Sequence, residues 1–253
     1  MRLYLRQWGE GPLVVCLHGV TSFGGRFRHL AQERLSDFRV LAPDLRGHGR
    51  SGFEPPWSIA TMVDDLLETL PDEPAVWLGH SYGGRLVLDV AARAPERVER
   101  AVLLDPALQL LPHVALDMAE LTCDDVSFAS PKEAIQYRID SGRFFHTPPE
   151  FFEEDAREHL EAGPDGRLRF RFCRSAVVTA WSDMATPPPP APLVATLLVL
   201  GAKSWLVLDA QVERLQERLG DKLRVVSVPG GHTVFWDAFD ETAEAVEAFL
   251  PAA

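Results

Sequence analysis

Three kinds of side chain in this sequence could act on one another chemically: a serine, a histidine and a small set of carboxylates. Ser81 stands in Gly79-His80-Ser81-Tyr82-Gly83-Gly84, after the apolar run Ala75 to Leu78 and before a helical pattern. This is G-x-S-x-G in the strand-turn-helix context that a nucleophilic serine requires. Small neighbours let such a serine occupy a strained turn that exposes Oγ beside a helix N-terminus. An idle serine in a glycine-rich turn is the plainer alternative. His232 ends Pro229-Gly230-Gly231-His232, behind the apolar run Leu223 to Val228. That puts it on a loop at the carboxyl end of a strand, where open α/β sheets bind ligands, and makes it the best candidate general base among the eight histidines. A satisfied surface histidine is the competing reading, and the order serine then histidine argues against it. Asp105 follows the run Val98 to Leu104, where Asp-Pro can also simply start a turn. Asp209 precedes an apolar-periodic helix, which makes helix N-capping its default explanation.

The elements that must position these groups alternate along the chain. Pro12 to Leu17, Phe38 to Ala42, Ala75 to Leu78, Val98 to Leu104, Thr196 to Leu200 and Leu223 to Val228 are too continuously apolar for one-sided strands. They fit a parallel sheet covered on both faces. Between them Arg26 to Leu35, Thr61 to Leu70, Gly84 to Ala94, Asp209 to Leu219 and Asp237 to Leu250 carry apolar residues at helical spacing. This alternation predicts a doubly wound, mostly parallel α/β sheet. It breaks between Asp105 and about Pro192, where helical stretches run together, punctuated by Pro112, Pro131 and Pro148-Pro149. The expectation is a helical cap, with Thr186 to Pro192 (TPPPPAP) as a stiff, extended return strut.

Composition narrows the partners. At 253 residues and 46% hydrophobic, one catalytic domain with a subdomain is the economical reading. With 25 Lys+Arg against 37 Asp+Glu, the net charge of −12 repels phosphate backbones, so no nucleic-acid partner is expected. Cys16, Cys123 and Cys173 sit at no metal-binding spacing, and Cys16 reads as a buried free thiol that suits a reducing cytoplasm. No apolar run approaches a membrane span and no signal-peptide core forms, so the expected location is cytoplasmic. No metal-ligand cluster and no dinucleotide fingerprint occur, so the expected cofactor and metal requirement is none.

The chain resembles a capped α/β-hydrolase over essentially its whole length. The motifs that carry the resemblance are the Ser81 elbow, Leu17-His18-Gly19-Val20 after the first long strand, and the Gly231-His232 loop. Asp44-Leu45-Arg46-Gly47-His48-Gly49-Arg50-Ser51 (D-x-R-G-x-G-x-S) and Pro95-Glu96-Arg97-Val98 join them. The resemblance implies the α/β-hydrolase fold, with a cap inserted after the sixth strand: core 1–105 and 193–253, cap 106–192. It implies an oxyanion hole formed by the backbone N–H groups of Val20 and Tyr82, worth about 3 kcal/mol per donor. It makes the Asp44 loop scaffolding and His18 structural.

The acid is where this sequence departs from the family. Members commonly carry an Asp or Glu a few residues after the strand equivalent to Thr196 to Leu200, but here that turn reads Gly201-Ala202-Lys203-Ser204-Trp205. Asp105 is the leading candidate, because some branches, the haloalkane-dehalogenase-like enzymes among them, take the acid from that strand end. Asp209, a cap residue such as Asp183, and no acid at all stay open. The function implied is hydrolysis of a small or medium-sized carboxylic ester or lactone through an acyl-enzyme, on a small-molecule substrate, with a homodimer as a possible assembly. Aromatic residues of the cap region, such as Phe144, Phe145, Phe151 and Phe152, could both pack it and line an apolar pocket. The alternatives are a C–C bond hydrolase or perhydrolase of the same fold, and a non-catalytic hydrolase-like binding protein.

Overall fold

A computed structural model describes residues 1–251. In chain order the first half runs β1 (Leu5–Trp8), β2 (Leu13–Leu17), β3 (Arg39–Pro43), α1 (Ile59–Thr69), β4 (Ala75–His80), α2 (Tyr82–Arg93) and β5 (Val98–Leu104). Then come α3 (Pro112–Cys123), α4 (Pro131–Asp140), α5 (Pro149–His159), β6 (Leu160–Ala162), β7 (Leu168–Phe170) and α6 (Arg174–Met184). The chain closes with β8 (Ala195–Gly201), α7 (Asp209–Leu219), β9 (Leu223–Val228), α8 (Val234–Asp237) and α9 (Phe239–Glu247). Among the described residues, seven strands form one sheet in the order β1-β3-β2-β4-β5-β8-β9. Every neighbouring pair is parallel except β1 with β3.

The continuous apolar runs follow from two covered faces. Leu13, Val15 and Leu17 of β2 pack into one layer with Trp77, Ala101 and Leu103, while Val14 and Cys16 pack into the other with Val76, Leu78, Val102 and Leu104. With helices on both sides most positions of the central strands are apolar, and each fully buried large side chain contributes about 1.5–3 kcal/mol. α1 starts where the Ser58 hydroxyl accepts the Thr61 N–H at 3.3 Å. α2 is buried almost all round, as a helix flanked by sheet and by other helices must be.

Three details differ from the sequence-based expectation. Residues 26 to 35 form a 3₁₀ turn (Gly24–Phe27) and a π-type turn (Leu30–Arg34) in place of an α-helix. The apolar spacing of Phe27, Leu30, Ala31 and Leu35 chooses the buried face, and several windings satisfy it. In chain order the helical insertion follows the fifth strand, one fewer than expected, because among the described residues only β1 precedes β2. β6 and β7 form a short antiparallel hairpin inside the insertion.

The insertion is tied down by prolines and by buried ions. Pro112, Pro131 and Pro149 are the first residues of α3, α4 and α5, where a missing N–H costs no hydrogen bond. Arg85 on α2 donates to the carbonyls of Leu108 (3.2 Å), Thr186 (2.8 Å) and Pro187 (3.1 Å), so one buried guanidinium holds both the entry and the proline-rich exit. Asp155 on α5 pairs with Arg26 of the sheet domain at 2.8 Å and with Arg138 on α4 at 2.9 Å. Arg26 stacks over Trp236 and Arg138 over Phe170. Burial alone would raise the Asp155 carboxyl, but Arg138 and Arg26 outweigh it and hold it far below the usual carboxylate range. Burial pushes Arg138 down to about 9. No helix among the described residues is long and apolar enough to cross a membrane.

Removing the shared carboxylate would leave two buried cations uncompensated. Asp155→Ala is therefore expected to lower stability by about 3–5 kcal/mol in urea unfolding at pH 7. The wild-type contribution is present above the unfolded aspartate pKa, about 4, and is lost as pH falls toward the depressed folded value. A change below about 1 kcal/mol would show that the network contributes little.

Candidate active site

Ser81 lies between β4 and α2 with φ 55° and ψ −119°. A left-handed, non-glycine residue costs about 1–3 kcal/mol and persists only when its surroundings over-determine it. They do so here: Ser81 N–H donates to the Leu104 carbonyl at 3.1 Å, and the Ser81 carbonyl accepts from Gly84 at 3.0 Å and Ala107 at 2.9 Å. A side chain at Gly83 would come within 2.1 Å of the Leu17 carbonyl oxygen, so this turn closes against β2 only with glycine. One at Gly19 would stand 2.8 Å from Ser81 Cβ, which places the His18-Gly19-Val20 segment directly against the elbow.

The orientation of that segment is set by His18. Its Nε2 accepts the Leu45 N–H at 2.9 Å, so the proton sits on Nδ1, which donates to the Gly19 carbonyl at 2.7 Å. Burial holds His18 neutral, its pKa well below the ordinary value. In a trans peptide C=O and N–H point in opposite directions, so anchoring the Gly19 carbonyl also fixes the Val20 N–H. Neither the Val20 nor the Tyr82 N–H donates to a backbone carbonyl among the described residues. Tyr82 opens α2, where helical N–H groups lack an intrahelical partner. The Asp44 carboxylate, fully buried, accepts from the Gly24 and Arg50 N–H groups at 2.8 Å each and from Arg6, bracing the chain just beyond Val20.

Asp105 caps the end of β5 with φ 41° and is 1% exposed. Its Oδ2 lies 2.6 Å from His232 Nδ1 and accepts the Ser204 hydroxyl at 2.6 Å, while Oδ1 accepts the Gly201 N–H at 3.2 Å. The turn without a carboxylate thus supplies a hydroxyl donor to Asp105. His232, its side chain 30% exposed, presents Nδ1–H to the carboxylate, which leaves Nε2 as the ring's acceptor. His80 packs 4.6 Å away, centroid to centroid, and its Nε2–H donates to the His232 carbonyl at 3.0 Å. Burial keeps His80 neutral, so no second cation competes beside His232.

The other candidate carboxylates lie elsewhere. Asp209 is solvent-exposed at the first turn of α7, and it does not cap that helix, because Leu208 is the N-cap residue and its N–H donates to the Gln211 side chain at 3.1 Å. Asp183 accepts the Ile59 N–H at the start of α1, at 2.9 Å. No hydrogen bond joins Ser81 Oγ to His232 among the described residues. Such contacts are often long in unliganded sites and tighten around substrate.

Three neighbours escaped the sequence reading. Ser204 could have been noticed as a hydroxyl in the turn where an acid was sought. His80 lay inside the elbow motif, but its neighbour position carried no sign of a contact with the His232 loop. Asp237, whose Oδ2 accepts the Gly231 N–H at 2.6 Å, has no sequence signal at all, because the groups it binds are backbone amides. Together the geometry offers an imidazole of fixed tautomer, a serine held in a strained turn and, among the described residues, two N–H groups nearby without a backbone acceptor, an arrangement capable of supporting attack of a hydroxyl on a carbonyl.

Comparison with known proteins identifies the family and the fold. Residues 12–163 match the sequence model of the alpha/beta hydrolase fold family. Lipase LipV of Mycobacterium tuberculosis is 32% identical over 240 residues, covering 92% of this chain and 91% of the lipase. The 2-(acetamidomethylene)succinate hydrolase of Mesorhizobium japonicum is 32% identical over 273 residues, covering 99% of this chain and 92% of that protein. A crystal structure of E-2-(acetamidomethylene)succinate hydrolase superposes with a TM-score of 0.86 at 30% identity, covering 99% of this chain and 95% of that one. By sequence and fold together, the chain belongs to the α/β-hydrolase family and is a hydrolase of that fold.

Proposed function

We propose that the protein is a serine hydrolase that cleaves a small or medium-sized carboxylic ester or lactone. The observation that carries the reading is the 2.6 Å contact between Asp105 and His232 Nδ1, at the same sheet edge as the strained Ser81. Asp105 holds the imidazole in the tautomer that leaves Nε2 free and stabilises the imidazolium formed when Nε2 takes the Ser81 proton. Ser81 Oγ then adds to the substrate carbonyl carbon, and the Val20 and Tyr82 N–H groups receive the oxyanion. Collapse of the tetrahedral adduct expels the alkoxide, which takes the proton from His232, and an acyl-Ser81 ester remains. Water, deprotonated by the same Nε2, repeats the cycle in reverse and releases the acid. His18 supports the step by fixing the Gly19–Val20 peptide.

Residues 106–192 serve as the cap of this site, over the core formed by 1–105 and 193–253. A cap of this kind excludes water and shapes the acyl pocket, so its residues would set the substrate range. The relative named as a lipase favours ester-like chemistry. The relative named for 2-(acetamidomethylene)succinate makes that compound a necessary member of any substrate panel.

Ser81→Ala is expected to leave the fold intact, since truncating one small side chain costs little, and to abolish turnover of p-nitrophenyl esters and lactones screened by acyl length. Retained turnover would remove Ser81 from the mechanism. Asp105→Asn should lower kcat by about 10³–10⁴-fold, because the amide favours the wrong imidazole tautomer, whereas Asp209→Asn should behave as wild type. Circular dichroism on both variants separates chemistry from unfolding. If Asp209→Asn is the crippled enzyme and Asp105→Asn is active, the assignment of the acid is wrong.

A further inference from the structure

Asp237 is buried on α8, five positions beyond His232, and the mechanism above makes no use of it. Its Oδ2 accepts the Gly231 N–H at 2.6 Å. Its Oδ1 accepts the N–H groups of Phe145 (2.7 Å), His146 (2.7 Å) and Thr147 (3.1 Å), together with the Thr147 hydroxyl at 3.0 Å. One carboxylate therefore joins the residue before His232 to a segment of the insertion some ninety positions earlier. Burial alone would raise this acid, but the amides of His146, Gly231 and Phe145 and the Thr147 hydroxyl outweigh it and hold it below the usual range. The ionised form is what the geometry needs, because both oxygens must act as acceptors.

Packing reinforces the link. A side chain at Gly231 would come within 2.7 Å of the Phe145 ring and 2.9 Å of the Arg143 carbonyl oxygen, so this segment lies directly on the His232 loop. On its other flank, Lys203 Nζ sits 4.4 Å from the Phe145 ring centroid and 3.1 Å from His146 Nε2. Lys203 adjoins Ser204, the hydroxyl donor to Asp105. The segment thus touches the His232 loop and the turn whose Ser204 donates to Asp105.

We propose that Asp237 is a positioning residue that couples the seating of Phe145–Thr147 to the orientation of the His232 loop. With the segment seated, Gly231 is held and His232 is aimed; with it released, the Gly231 amide loses its fixed partner's support and the base drifts from its working geometry. The kinetic part of this inference rests on the hydrolase reading above. An asparagine cannot replace the aspartate, because its NH₂ would face N–H donors on one side or the other.

The test compares Asp237→Asn and Thr147→Val in the full chain, by hydrogen–deuterium exchange over residues 143–147 and 229–233 and by kcat and KM on a p-nitrophenyl ester that the wild type cleaves. Asp237→Asn should raise exchange in both segments together and lower kcat by roughly ten- to a hundredfold, the scale of a misplaced catalytic group. KM should stay within about threefold, the pattern of a lost transition-state interaction. Thr147→Val, which removes only the hydroxyl, should lower kcat by about two- to tenfold, the scale of one net hydrogen bond. It should add little when combined with Asp237→Asn. Exchange that rises in one segment alone, or in both with wild-type kcat, overturns the proposal. Should Asp237→Asn not fold, Thr147→Val decides: unchanged exchange over 229–233 or unchanged kcat overturns it. A wild type without ester turnover would contradict the proposed function, and the paired exchange measurement would still decide the coupling.

Discussion

The arrangement depends on one buried carboxylate that takes donors from two other loops at once. Asp105 closes β5 in a left-handed conformation and takes donors from the turn after β8 and from the loop after β9. This is geometrically available because β5, β8 and β9 are consecutive neighbours in the sheet and run parallel, so their carboxyl ends open side by side. β4 lies on the other side of β5, which brings the Ser81 elbow to the same edge. Sheet order therefore assembles in space what the sequence spreads over more than half of the chain. The ladder that produces it is held between two apolar layers.

Around that carboxylate, burial does electrostatic work of a second kind. His18 and His80 both flank the elbow, and desolvation keeps both neutral, so each can hold a carbonyl with a single N–H and neither adds a positive charge near His232. Backbone strain at Ser81 and Asp105 is tolerated because neighbouring strands hold both peptides: Ser81 N–H donates to Leu104, and Asp105 N–H donates to Val199 at 2.8 Å. Both strained residues lie at the ends of adjacent strands, so the stability of the sheet is what maintains them. The charges of the insertion follow a different logic, in which Asp155 is shared by two arginines and packing against Trp236 and Phe170 shields the cations.

Much of this was legible in the sequence, for physical reasons. Strands buried on both faces announce themselves as continuous apolar runs, and the glycines of the elbow and of the Gly231-His232 loop are required by close approaches of backbone. β1 escaped notice because Leu5–Trp8 is a half-buried edge strand with polar members, and β6 and β7 because three residues carry no periodicity. The helical spacing of residues 26 to 35 showed which side chains are buried without showing how the backbone winds. Asp209 suggested a cap, yet the N-cap position fell one residue earlier, on a leucine. The contacts of Asp237 with the insertion lay beyond any single-sequence reading, because they join segments about ninety positions apart through backbone amides.

The central claim is that Ser81 is a nucleophile activated by the Asp105–His232 pair. Intact-mass and peptide mapping after brief exposure to a fluorophosphonate test it most directly, because the reagent reports nucleophilicity without requiring the natural substrate. The account predicts a single adduct on the peptide containing Ser81, formed rapidly in the wild type and far more slowly in His232→Ala. No adduct, an adduct on another residue, or labelling of Ser81 at the same rate without His232 would contradict it.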